Sequence, residues 1–203
     1  MRSRIRPLRS TCPTTQRDNG FGNNECRKRG GYSAGPYAKR LADKNRYLPA
    51  LAVGGGFTFE DLIFKGLALG APYVKMIGMA RAPVAAAMVG KTIGRAIDAH
   101  QLPVYVERFG STRDEIFVTA STLRKEFGNG DFEKLPTGAI GLYTYYERLA
   151  QGLRQLMAGC RKFSLEHVAR DDVAALTSDA AEITGLRYIM EVDQGRAEEI
   201  LDS

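Results

Sequence analysis

Two short stretches that end in glycine are the part of this chain best suited to chemistry. Gly54-Gly55-Gly56 closes the apolar run Leu48 to Val53, and Gly78, followed by Met79, Ala80 and Arg81, closes Tyr73 to Ile77. Glycine lets backbone N–H groups approach an anion with no Cβ in the way. A helix opening just beyond would add unpaired N–H groups and the positive end of its dipole. Arg81, at the mouth of the second loop, can add a charged contact to the same anion. These residue types suit the holding of a phosphate. They also have a plainer reading, as turn and close-packing glycines. A Rossmann site is disfavoured, because GxGxxG is absent and no acid lies about 20 residues beyond the first loop to hold a ribose.

Three elements must bring the two loops together. Leu48 to Val53 reads as a buried strand. Thr58 with Asp61 resembles a capping box, and Phe59, Leu62, Ile63 and Leu67 form one apolar helical face that stops at Gly70. Tyr73 to Ile77 reads as a second strand, followed by a helix opening near Pro83, where proline is at home in a first turn. Strand, helix, strand predicts a parallel βαβ unit, which sets both glycine loops on one carboxyl edge. In a (β/α)₈ barrel, that edge at the last two strands commonly holds a phosphate.

The stretch LAVGGGFTFEDLIFKGLALGAPYVKMIGMARAP, residues 51 to 83, resembles the last two β/α units of the flavin-binding barrel of glutamate synthase and its relatives. YYERLAQGLRQLMAGCRKFSLEHVARDDVAALT, residues 145 to 177, is similar to the helical segment that follows the barrel in that family. The resemblance implies an α/β fold: a partial TIM (β/α)₈ barrel of the last two β/α units, then a mainly helical C-terminal segment. It implies an FMN-dependent oxidoreductase of glutamate biosynthesis, acting on CH-NH2 donors, with 2-oxoglutarate and glutamate as family substrates. By position, Gly55 and Gly56 match the loop that touches the flavin phosphate, and Gly78, Met79 and Ala80 match the following loop. With Gly54 and Arg81 these are the cofactor-binding candidates. Gly54 stands where the larger enzymes usually carry aspartate. After Gly78 those enzymes carry cysteines for an iron–sulfur cluster, whereas this chain reads ARAPVAAAMVGKTIGRAI, so no cluster is expected. The first six β/α units and the amidotransferase part have no counterpart. The chain thus looks like a C-terminal fragment that holds only the phosphate end of FMN and is inactive alone, completed by the missing barrel portion or by a second copy.

The remaining candidates are weaker. Lys75 lies mid-strand, where alternation points it either into a barrel or toward an outer helix. His100 and His167 are the only histidines and fit no HxxxH or HxxE pattern, so surface positions suit them better than metal or triad roles. Cys12, Cys26 and Cys160 have neither CxxC spacing nor an even count and read as free thiols of a reducing compartment, consistent with a cytoplasmic protein. Pro103 to Phe109 reads as a strand or extended segment. Thr112 with Glu115 forms a capping box for a helix whose Ile116, Ala120, Leu123 and Phe127 share a stripe before Gly128. Leu142 to Ala158 reads as an amphipathic helix, with Leu149, Leu153 and Leu156 inside and Arg148 and Arg154 outside. Tyr143, Tyr145 and Tyr146 fall at core and rim positions of that helix.

The net charge of +6 is unevenly spread. Residues 1 to 46 carry 12 Lys/Arg against 3 Asp/Glu, whereas residues 47 to 203 carry 17 against 20, so only the first part is basic. The expected organisation is a basic, unstructured arm over 1–46, the two β/α units over 47–100 and the helical segment over 101–203. The arm suits three roles: a nucleic-acid or acidic-partner arm, a cleaved transit peptide, or a leader without function. Engagement of nucleic acid or an acidic partner through the arm defines the alternative to the enzyme reading, a non-enzymatic interaction module. Aromatics for base stacking are sparse there, limited to Phe21, Tyr32 and Tyr37. No apolar run approaches the ~20 residues a membrane-spanning helix requires.

Overall fold

A computed structural model describes residues 34–48 and 50–202 of the chain. The chain divides between Ala50 and Leu51 into two units, each taken by itself. Most of the expected arm, with Cys12 and Cys26, lies outside the described residues. Within the first unit, helix α1 (Ala34–Asp43) corrects the expectation of an unstructured arm reaching Arg46. Ala34, Tyr37, Ala38 and Leu41 recur at helical spacing, and Pro36 falls in the first turn, where its missing N–H costs no bond. The helix ends where Asn45 adopts φ 48° and its N–H donates to the Ala42 carbonyl at 2.9 Å.

The second unit is an α/β structure, mostly helical, built on one small parallel sheet. Strands β1 (Leu51–Gly54) and β2 (Val74–Gly78) pair in parallel, with Gly54 opposite Gly78 at the carboxyl ends and an irregularity between Leu51 and Ala52. The first strand therefore starts at Leu51 rather than at Leu48. Helix α2 (Glu60–Gly70) makes the crossover between the strands. Its Phe64 and Ala68 are buried with Met157 and Val168 in one apolar cluster. No capping box forms at Thr58: the helix is entered from Phe59 without a side-chain cap. Thr58 lies one residue too early, and its hydroxyl donates to the Gly56 carbonyl at 3.3 Å instead.

Helix α3 (Arg81–Asp98) follows β2 and packs along helix α8 (Thr137–Gly159). The two approach closely because neither carries a side chain at the crossing. A Cβ on Gly90 would stand 2.7 Å from the Thr137 carbonyl oxygen and 3.0 Å from Gly141 Cα. Helix α8 links the two cores, giving Ile140 to a cluster with Phe117, Ala120, Leu123 and Phe132, and Met157 to the cluster under α2. Leu149 is buried as the apolar stripe predicts, and Arg148 and Arg154 are exposed. Leu156, however, lies on the rim, and Met157 takes the inside place.

Between α3 and α8 the chain forms short helices: α4 (Val104–Glu107), α5 (Arg113–Ile116), α6 (Ala120–Phe127) and α7 (Asn129–Phe132). The first corrects the strand expected over Pro103 to Phe109. The Pro103 carbonyl accepts from Val106 N at 2.8 Å and Glu107 N at 3.1 Å, and only Val106 of that turn is buried. The Thr112–Glu115 capping box forms as read. The helix it opens nonetheless stops at Ile116, because Phe117 turns extended to enter the core, and a second helix restarts at Ala120. Phe127, expected on the buried stripe, is 52% exposed.

Beyond α8 lie single turns at Leu165–His167, Arg170–Asp172 and Ile189–Glu191, and helices α9 (Ser178–Thr184) and α10 (Gln194–Leu201). Arg170 ties this end to the βαβ unit, donating from Nη1 to the Leu69 carbonyl at 2.8 Å and from Nη2 to the Thr184 carbonyl. Among the described residues, no helix is long and apolar enough to cross a membrane.

Candidate functional site

The parallel register sets Gly54 and Gly78 side by side, so that the loops leaving both strands open on the same edge. All seven residues singled out from the sequence line one cleft of about 670 Å³ there. Gly54, Gly55 and Gly56 come from the first loop, and Gly78, Met79, Ala80 and Arg81 from the second; Phe57, Thr58, Ala82 and Ala85 complete the lining. Gly55 has φ +121° and Gly56 φ +75°, conformations that glycine adopts without the Cβ penalty of other residues. A Cβ on either would meet nothing within 4 Å, so the bare backbone of the loop faces open space.

The opposite wall is the start of α3. Its N-cap residue, Ala80, supplies no side-chain bond, and its carbonyl first accepts from Val84 N at 3.4 Å. The N–H groups of Arg81 and Ala82 therefore have no helical acceptor. Pro83, buried in this first turn, has no N–H to satisfy. Arg81 is exposed and is the only charged residue among those lining the cleft. Backbone donors, helix dipole and guanidinium together make this a positive recess that suits a small anion.

Sequence reading missed the residue that braces the recess. Tyr145 of α8 donates from its hydroxyl to the carbonyl of Thr58, at the far end of the glycine loop. Burial, with Tyr146 and Glu60 nearby, pushes this phenol above the usual tyrosine range, so it stays a donor at neutral pH. Helical spacing gave Tyr145 a core or rim place; no local signal marks a bond to a carbonyl 87 residues away. Close by, Glu60 Oε2 is buried without a hydrogen-bond partner, and Glu60 lies where a side chain at Gly152 would collide with it.

The other candidates lie elsewhere. Lys75 is exposed on β2 and does not line the cleft. His100 follows the end of α3 with φ 50°, His167 sits in a turn beyond α8, and both are exposed. Cys160 is a half-buried free thiol whose Sγ approaches the Asp172 carbonyl at 3.9 Å. Burial, reinforced by Asp172, raises its pKa, which makes it a poor nucleophile. No group of three or more metal-ligating side chains is found among the described residues.

Residues 51–83 and 145–177 meet in space. Met157 and Val168 pack on Phe64 and Ala68, and Arg170 bonds to Leu69. Comparison of the chain with protein-family models, with curated proteins and with solved structures finds no match.

Proposed function

We propose that the cleft at the carboxyl edge of β1 and β2 holds the phosphate of FMN, and that the chain is the C-terminal part of a glutamate-synthase-like oxidoreductase built on a (β/α)₈ barrel. The observation that carries this reading is the convergence of a side-chain-free glycine loop, an uncapped helix start and one lone cation in a single recess. The phosphate fits there: Gly55 and Gly56 leave space where a Cβ would stand, and the N–H groups of Arg81 and Ala82 lack helical partners.

When bound, FMN supplies redox chemistry that the amino acids lack. The residues of this chain do the anchoring. The first turn of α3 and the Arg81 guanidinium neutralise the phosphate, and Tyr145 keeps the loop in place through Thr58. Ring orientation falls to strands beyond these two. In a two-stranded sheet each strand has one unpaired edge, and further β/α units or a second copy would extend it.

The experiment is a flavin-fluorescence titration of the full chain with FMN and, in parallel, with riboflavin, which lacks the phosphate. FMN is expected to bind more weakly than micromolar, because two strands do not enclose the ring, while riboflavin shows no saturable binding. Arg81→Gln should weaken FMN by about tenfold, the worth of one charge-assisted contact. Equal binding of FMN and riboflavin, or an Arg81→Gln variant with unchanged FMN affinity, would overturn the reading.

A further inference from the structure

A second recess, of about 550 Å³, lies on another side of α3. Ala85 lines the glycine cleft and Ala87 lines this one. Two positions along a helix differ by about 200° of rotation, so the recesses open on opposite faces and do not share a ligand. Four cations, Lys91, Arg95, Arg113 and Lys134, line this recess against two acids, Asp98 and Glu133.

The ion pairs of the recess leave positive charge unanswered. Asp98 is taken by Arg113 at 3.1 Å and Lys134 by Asp131 at 2.8 Å, while Glu133 shares Arg124, at 3.0 Å, with Asp114, at 2.6 Å. Lys91 and Arg95 have no acid within ion-pair distance among the described residues. They stand one turn apart on the same helix face, where like charges repel rather than stabilise. Two exposed cations without an acidic partner, one turn apart on a concave surface, form a place that attracts an anion. The wall facing them is the first turn of α8, held close by the glycine crossing: a Cβ on Gly138 would stand 3.6 Å from Lys91 Cβ. Apolar surface from Met88, Leu135 and Pro136 borders the charged part.

We propose that this recess binds a small phosphomonoester, with its phosphate between Lys91 and Arg95 and its organic part against Met88 and Pro136. The site is independent of the glycine cleft and does not rest on its assignment. The test is an NMR titration of the ¹⁵N-labelled full chain with inorganic phosphate and then with phenyl phosphate. The amides of Lys91, Arg95, Thr137 and Gly138 should shift along saturable curves, and phenyl phosphate should saturate at lower concentration than phosphate. The double variant Lys91→Gln/Arg95→Gln should weaken binding about tenfold or more, while Arg81→Gln leaves these shifts unchanged. Shifts that stay linear, that are unaffected by the double variant, that appear only at Gly55, Gly56 and Arg81, or that saturate no earlier with phenyl phosphate would overturn the proposal. Failure here leaves the glycine cleft untouched, since that cleft is read from its own amides in the same spectra.

Discussion

The hydroxyl of Tyr145, in the long helix α8, donates to the main-chain carbonyl of Thr58, the residue that ends the glycine loop. The bond runs between residues 87 apart in the chain and is half-buried, so removing its donor leaves the Thr58 carbonyl without its side-chain partner. Tyr145→Phe should cost about 1 kcal/mol in urea unfolding, with the fold retained. The same change should weaken anion binding at the recess, because the loop loses its brace. An unaltered unfolding midpoint would show that the bond contributes nothing.

Alkaline pH tests the same residue. Burial raises the Tyr145 phenol above its ordinary value of about 10. The folded state then holds this proton more tightly than the unfolded state does. Its stabilising contribution is complete below the unfolded value and is lost as pH rises through the folded one. Stability should therefore fall above about pH 10, and Tyr145→Phe should flatten part of that fall. Tyr143, also raised by burial, contributes a further part, which a second variant, Tyr143→Phe, would remove. Identical alkaline slopes in all three proteins would refute this assignment.

At the loop itself, two glycines answer to backbone rather than to space. A methyl added to Gly56, at φ +75°, or to Gly55, at φ +121°, would meet no atom within 4 Å, so alanine causes no clash and its cost is conformational only. Gly56→Ala should destabilise by about 1–2 kcal/mol. Gly55→Ala, whose φ lies further outside the left-handed helical well, should cost more. Calorimetric unfolding of the pair decides it, and a stabilised Gly56→Ala would mean that the loop relaxes to another turn.

How much of this was readable from the sequence depends on the range of the interaction. That Gly54 to Gly56, Gly78 and Arg81 gather at one edge was legible because a βαβ unit fixes its own carboxyl edge within 30-odd residues of chain. The Thr112–Glu115 cap was legible for the same reason, being a contact three residues long. Local propensity misled at Val104 and Tyr105, where β-branched and aromatic residues suit a strand but the Pro103 carbonyl caps a helical turn. It misled again at Phe117, whose burial in a core formed with Ile140 breaks a helix that periodicity alone would carry through. Tyr145, Arg170 and the Lys91–Arg95 recess depend on contacts between distant elements, for which one sequence carries no signal.

Acid pH acts through the other cap. Glu115 accepts from Ser111 N at 2.9 Å, from Thr112 N at 3.0 Å and from the Thr112 hydroxyl at 2.9 Å. These bonds, led by that from Ser111, hold its carboxyl below the usual glutamate range. With the folded pKa depressed, the stabilisation is present above the unfolded value of about 4.3 and fades as pH falls through the folded one. Glu115→Ala should lower the melting temperature at neutral pH and flatten its fall below about pH 4. Parallel acid profiles for the variant and the parent would exclude this residue as a source of the dependence.

The crossing of α3 and α8 sets the geometry of the recess lined by Lys91 and Arg95, and glycine there is demanded by space. A methyl on Gly90 would press on the Thr137 carbonyl oxygen at 2.7 Å and on Gly141 Cα at 3.0 Å, both main-chain atoms that cannot rotate away. Gly90→Ala gains helix propensity of about 1 kcal/mol but forces the helices apart, for a net loss of about 1–2 kcal/mol. Gly159→Ala, at the end of α8 with nothing within 4 Å of its added methyl, keeps only the propensity gain and should stabilise by up to about 1 kcal/mol. Chemical denaturation of the two variants therefore moves in opposite directions, although both replace a helical glycine by alanine. Gly90→Ala should also shift the amides of Thr137 and Gly138, since the first turn of α8 rests on that crossing; a stabilised Gly90→Ala would mean that the two helices separate at no cost.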